Sequence, residues 1–250
     1  MLRIIGATDR GLERRINEDR FAGEALSPGF AYGVVCDGLG GENAGGVASA
    51  VACEEIRRML EGAYRPGIDQ RSVYMLLEGA IANANAMVFD KAAQDPQSMG
   101  GMGTTVCLAI VSGETAYIAS VGDSRAYLRR AQARRPPPGD HPQPHLRAAR
   151  AELSREELDH HPARNSLTRA VGVAAAVAAD YTQCRLEPGD ALLLCSDGLY
   201  SMVDPTTLRE CARQSVSQED SKCLIDAANS RGGRDNITAV IIWYEENRNG

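Results

Sequence analysis

The chain has 250 residues, 44% of them hydrophobic, and a formal net charge of −6. That is enough apolar material for one large core or two small ones, and it excludes the basic stripe of a nucleic-acid binder. No apolar run approaches a membrane span and residues 1–6 lack the pattern of a secretory leader, so a cytoplasmic chain with no membrane and no nucleic-acid partner is expected.

Residues 2–8 and 31–36 are apolar and β-branched, and predict strands. Residues 44–60 predict a helix, with Val47, Val51, Ile56 and Leu60 near helical spacing. Residues 71–93 predict a second, with Val73, Leu76, Leu77, Ala80, Ile81, Ala84 and Val88 on one face. A glycine-rich break at 99–103 follows. Strands over 104–111 and 115–121 then flank a Ser112-Gly113 turn, a hairpin signature, and 125–129 continue as another strand. Glu187-Pro188-Gly189-Asp190 is a turn between strands 178–186 and 191–195. Asp204-Pro205 reads as N-cap and first residue of a helix reaching about residue 214; 219–230 predict a further helix and 236–244 a last strand. Strands as hairpins and helices as pairs favour an α+β sandwich over a doubly wound sheet. Neither an internal repeat nor a linker is visible.

Two features stand apart. Seven cysteines are unevenly spaced with no C-x-x-C pair, so neither a zinc ribbon nor a redox dithiol is expected. Cys36, Cys107 and Cys195 read as buried free thiols of a reducing compartment. Residues 131–150 are rich in Arg, Pro, Ala and His without usable periodicity, and Pro136, Pro137 and Pro138 exclude a strand or helix interior there.

The chemistry lies in clusters built around Asp: Asn17-Glu18-Asp19, Asp37-Gly38, Gly122-Asp123, Ser196-Asp197 and Asp235-Asn236. Three of them end predicted strands, where a rigid sheet can aim a carboxylate. Several aimed at one point make an oxygen-rich site for a hard cation such as Mg²⁺ or Mn²⁺. Each also has a plain reading. The glycine-rich stretch 37–46 could be a dinucleotide loop, but its glycine spacing is wrong and a leading Asp would face the phosphates. It could also be a tight turn requiring positive φ. Arg14 near Glu18 and Asp19 is either a surface ion pair or a fork for a phosphate dianion. Asp197-Gly198 could be a turn, and Asp235-Asn236 could satisfy backbone donors.

The chain resembles the bacterial metal-dependent Ser/Thr protein phosphatases of type 2C, the PPM class. The matching stretches are residues 8–19, 35–41, 101–105, 121–127, 164–172, 194–199 and 235–238, which occur in the family's order from end to end. The resemblance implies a single phosphatase domain over 1–250, an αββα four-layer sandwich with the metals between its sheets. It implies hydrolysis of phosphoserine and phosphothreonine in proteins by a metal-activated water at a binuclear centre, without a phosphoenzyme. By the same resemblance Asp37 bridges two Mn²⁺ or Mg²⁺ ions, and the Gly38 carbonyl binds one of them. Asp197 and Asp235 complete the second, and Glu18 and Asp19 hold metal-bound waters. Asp123 with Asp197 holds a third, weaker ion, and Arg14 clamps the substrate phosphate. Phosphorylated proteins, a Ser/Thr kinase among them, are the implied partners, and a monomer the implied state. The rival is a catalytically silent phosphoprotein-binding module of the same fold; the complete metal set favours the enzyme.

Departures from the family pattern are local. Leu39 stands where animal relatives carry a His proposed as general acid and bacterial ones usually Met; Glu42 stands where bacterial relatives often have His. No side-chain acid is therefore assigned. Residues 131–150 lack the family's usual strand, and the pattern resumes at 152–157. A compensated frameshift or a genuine divergent loop would account for this. Either predicts an irregular segment and a loosened flap over 154–171.

Overall fold

The computed structural model describes residues 1–245 apart from Glu42 and residues 132–168. Among them, one antiparallel sheet runs in the order β1 (Leu2–Asp9), β11 (Ile237–Tyr244), β10 (Ala191–Cys195) and β8 (Arg125–Arg129). The other, also antiparallel, runs β2 (Arg20–Ser27), β3 (Phe30–Cys36), β6 (Val106–Ser112), β7 (Thr115–Val121) and β9 (Asp180–Arg185). A two-stranded ribbon pairs β4 (Gly38–Leu39) with β5 (Gly103–Thr104).

Three apolar clusters hold the layers together. Helices α1 (Ala44–Ala63) and α2 (Gln70–Gln94) set Ile56, Leu60, Leu77 and Ile81 against Tyr32, Val34, Leu108 and Ile110 of the second sheet. Helices α5 (Pro205–Gln218) and α6 (Lys222–Asn229) set Leu208, Leu224 and Ile225 against Leu193, Ile241 and Trp243 of the first. Between the sheets lie Ala31, Val35, Cys107, Ala109, Leu192, Leu194, Val240 and Ile242. This is the αββα sandwich. Central strands are covered on both faces, so β3 and β11 read as unbroken apolar runs rather than alternating ones. The sheets approach closely where side chains are missing: a Cβ on Gly33 would sit 2.9 Å from Val240 Cγ1.

Most boundaries fall within two or three residues of the sequence reading, and the exceptions have local causes. Strand β2 was not foreseen; it is an edge strand with a bulge between Ala25 and Ser27, and its residues are half-exposed. The expected strand over 104–111 is broken at Thr105, whose N–H leaves the ladder for the Asp37 carbonyl at 2.8 Å. The glycine break is preceded by a short helix, α3 (Pro96–Met99), capped by Asp95. Asp197-Gly198, for which a turn is the plain alternative, starts a short helix, α4 (Asp197–Tyr200). Asp204 caps α5 as expected, accepting from Thr206 and Thr207 N–H at 3.0 Å. Helix α5 runs on to Gln218, and Glu219, with φ of 53°, ends it in the left-handed region, so the next helix starts only at Lys222.

Cys211 of α5 and Cys223 of α6, to which the sequence gives no role, form a disulfide with Cα atoms 5.3 Å apart. The pairing spans two helices, which short-range cysteine spacing does not register. Cys36, Cys107 and Cys195 are free and buried, as expected. The irregular segment and the flap lie outside the described residues, except for Ala131, whose N–H donates to Asp190 Oδ1 at 2.9 Å, and residues 169–171.

Candidate metal centre

Both sheets end at the same rim, and the acidic residues sit on those ends. Strand β3 delivers Asp37, β7 leads through Gly122 to Asp123, β10 leads through Ser196 to Asp197, and Asp235-Asn236 precede β11. They line one cleft of about 270 Å³ with Glu18, Gly38 and, on the rim, Arg14. Asp19 lies beneath it, fully buried. All the residues singled out from the sequence thus come to one place, although they span more than two hundred positions.

Backbone and hydroxyl contacts anchor them. The Asp37 N–H donates to Thr105 Oγ1 at 3.0 Å, and its carbonyl accepts from Thr104 Oγ1 at 2.9 Å. Thr105 and Ser124 share a buried hydroxyl pair at 2.7 Å, tying the Asp37 turn to the Asp123 turn. Gly38 is packed so that a Cβ would lie 2.2 Å from the Gly45 carbonyl, which leaves its own backbone at the cleft surface. Ser196 donates to Asp19 Oδ2 at 2.7 Å and accepts from Thr238 N–H. Arg125 stacks over the Tyr200 ring at 3.6 Å, bracing α4 and hence Asp197. Glu18 has a role not foreseen: Asn43, the N-cap of α1, makes no side-chain cap, and Glu18 Oε1 accepts from Gly46 N–H at 3.0 Å instead.

Asn236, beside Asp235, has a role that the sequence does not mark. Its amide donates to the Arg10 and Ile16 carbonyls at 2.8 and 2.9 Å and accepts from Glu18 N–H at 2.8 Å. It staples both ends of loop 10–19, the loop that carries Arg14, to the end of β11. No spacing rule points to such a residue; its position beside Asp235 is the sole signal.

The electrostatics of the cleft demand a cation. Burial pushes the Asp37 carboxyl well above the usual range, and Asp19, Asp197, Asp123 and Asp235 push it further. Burial raises Asp19 to about 6, against the hydrogen bonds from Thr238 and Ser196. Burial, then Asp123, raises Asp197 to about 7. Asp19 Oδ1 has no hydrogen-bond partner among the described residues. A hard divalent ion relieves the crowding, and a water on it could reach the unpaired oxygen, so these residues fit one. Among the described residues no three acidic, His or Cys side chains are already drawn into a closed ligand group. Asp235 in particular turns to Arg14, with Oδ2 2.7 Å from Nη2 and 54% of the Arg14 side chain exposed. Like charges spread apart, and the Arg14 guanidinium takes Asp235. Burial of Cys195 holds its thiol well above its usual range, and the same effect pushes Cys107 up to about 12. Neither sulfur is a nucleophile.

An αββα sandwich with an acid-lined cleft between its sheets defines a metal-dependent phosphatase fold. The chain matches the protein phosphatase 2C family over residues 13–227, and it belongs to that family. It is 34% identical over 247 residues to the serine/threonine phosphatase stp of Listeria monocytogenes, covering 97% of this chain and 96% of that one. Among solved structures it superposes on serine/threonine phosphatase Stp1 of Staphylococcus aureus with a TM-score of 0.84 at 30% identity, covering 98% and 96% of the two chains. The catalytic domain of the phosphatase PstP, in complex with two manganese ions, gives 0.79 at 27% identity over 98% and 99%.

Proposed function

We propose that this protein removes phosphate from phosphoserine and phosphothreonine in proteins, with Mn²⁺ or Mg²⁺ held in the acidic cleft. The enzyme class is that of its family, a protein-serine/threonine phosphatase. The observation that carries the reading is the convergence of Asp37, Asp123, Asp197 and Asp235 from the ends of both sheets onto one cleft with Arg14 at its rim. Asp37 and the Gly38 carbonyl, with Asp197 and Asp235, would hold two ions; Asp123 with Asp197 would hold a weaker third. Glu18 and Asp19 would act through water. The ions, when bound, supply Lewis-acid activation of water and charge for the phosphate.

The chain's own groups do the rest. The Thr104, Thr105 and Ser124 hydroxyls fix Asp37 before substrate arrives, so no reorganisation is needed at the reacting centre. Arg14 exchanges Asp235 for the substrate phosphate. Its loop is pinned by Asn236, so the side chain alone has to swing. A guanidinium on a dianion then stabilises the charge that spreads over the transferring group. Cytoplasmic signalling as a monomer with a single domain over 1–250, opposite a Ser/Thr kinase, completes the proposal. Among the described residues no helix is long and apolar enough to cross a membrane.

The test is Mn²⁺-dependent hydrolysis of p-nitrophenyl phosphate and of a phosphothreonine peptide, each with and without EDTA. Turnover that survives exhaustive chelation rejects the metal mechanism. Peptide binding without turnover of either substrate identifies a silent binding module.

A further inference from the structure

Loop 10–19 holds Arg14 and has no regular secondary structure, yet it is firmly held. Besides the Asn236 staple, Leu12 N–H donates to the Gly233 carbonyl at 2.7 Å and Gly11 N–H to Asp9 Oδ1 at 2.8 Å. The Arg10 guanidinium reaches the Arg15 carbonyl at 3.4 Å, closing the loop across itself. What this rigid loop displays is unusual. Leu12 is 65% exposed and Ile16 43% exposed. Of the seven large hydrophobic residues exposed among the described residues, these two lie two positions on either side of Arg14. Arg15, beside it, is exposed and forms no ion pair among the described residues. Immobile backbone with apolar and cationic side chains held in water is the signature of a surface whose ordering cost has been met before binding.

We propose that Leu12, Arg15 and Ile16 form the docking surface for the substrate segment that flanks the phosphorylated residue, and that they select segments carrying an acidic and an apolar side chain near it. The inference rests on the phosphatase reading above. Its geometry follows from reach: two residues of chain span at most about 7 Å. When Arg14 grips the phosphate, Leu12 and Ile16 therefore lie opposite substrate positions within about two residues of the phosphorylated one. Charge decides the partner. The cleft floor is acidic and tolerates only the phosphate, through its cations, whereas the rim presents Arg15 next to Arg14. An acidic substrate residue is drawn to Arg15, and an apolar one covers Leu12 or Ile16.

The test compares kcat/KM for p-nitrophenyl phosphate, which has no flanking residues, with that for three phosphothreonine peptides: acidic-plus-leucine, all-serine and lysine-flanked. The wild-type protein should prefer the first by about tenfold or more, the scale of one apolar contact or a few methylenes in a binding site. Leu12→Ser with Ile16→Ser should lose about tenfold on the leucine peptide alone. Arg15→Glu should lose a similar factor on the acidic peptide and gain on the lysine one. In all variants p-nitrophenyl phosphate turnover stays at the wild-type level, which also shows that they fold. Equal kcat/KM on all three peptides, or peptide and p-nitrophenyl phosphate rates falling together, overturns the docking surface while leaving the phosphatase standing. Absence of Mn²⁺-dependent turnover on every substrate overturns both.

Discussion

Buried, mutually repelling carboxylates should make the metal-free protein more stable in mild acid. Asp19 and Asp197 have folded-state values of about 6 and about 7, raised chiefly by burial, against about 4 in the unfolded chain. A folded value raised above the unfolded one contributes stability that is complete below the unfolded value and lost as pH climbs through the folded one. The window is therefore pH 4 to 7, and stability rises on acidification across it. At pH 5 Asp197 lies about two units below its folded value and Asp19 about one, at about 1.4 kcal/mol per unit. Since the two repel each other, about 3 kcal/mol in total is the scale between pH 8 and pH 5. For a chain of this size that is a rise in Tm on the order of 10 °C. The carboxylates lowered by capping or pairing, such as Asp69, Glu54 and Asp204, lose their contribution as pH falls from the ordinary carboxylate value through their own depressed ones, at and below the acid edge of this window. The assay is thermal melting of EDTA-treated protein at pH 8 and pH 5, repeated with excess Mn²⁺. Divalent ions replace the missing protons, so Mn²⁺ should raise Tm strongly at pH 8 and much less at pH 5, where protons compete. A metal-free Tm that is flat or falls on acidification, or a Mn²⁺ increment equal at both pH values, refutes the reasoning.

Asp37→Asn should lower Mn²⁺-dependent kcat by about a hundredfold or more, the scale of removing a preorganised charge from a reacting centre; because one repelling charge is gone, metal-free Tm should hold or rise. Arg14→Ala should raise KM and lower kcat on phosphopeptides, and Arg14→Lys should restore charge without the bidentate fork and rescue only part; wild-type kinetics in both would leave Arg14 as an ion-pair partner of Asp235 alone. Reducing the Cys211–Cys223 bond, which closes a sequence separation of 12, should cost about 3 kcal/mol, or a Tm drop on the order of 10 °C. Melts of Cys211→Ser with and without reductant should then coincide.

Legibility from sequence followed burial. Strands covered on both faces, β3, β6, β7, β10 and β11, announce themselves as apolar runs, and Asp37, Asp123 and Asp197 could be placed because each follows such a run. Edge strand β2 shows no such contrast: Arg20–Ser27 alternates weakly and keeps half its surface in water. The second tier of the site was silent for a different reason. Asn236, Ser196, Thr105 and Ser124 act through hydrogen bonds to residues that are distant in sequence, and a polar side chain carries no periodic mark of that. The Cys211–Cys223 pair likewise depends on how two helices pack. The Arg14–Asp235 contact joins residues 221 positions apart, and nothing short of the fold brings them together.

The register of β1 against β11 places Leu2 opposite Tyr244 and Asp9 opposite Ile237. Asp9 leads into the Arg14 loop and Ile237 follows Asn236, so the cleft lies at one end of this strand pair and both described chain ends at the other, where the Met1 carbonyl accepts from Glu245 N–H at 2.8 Å. Seven residue steps along a strand separate them, about 24 Å. A tether, a tag or an appended domain at either end would thus leave on the side facing away from the substrate. Joining the two ends by a short linker and opening the chain at the Ser112-Gly113 turn would yield a rearranged gene order with the same cleft.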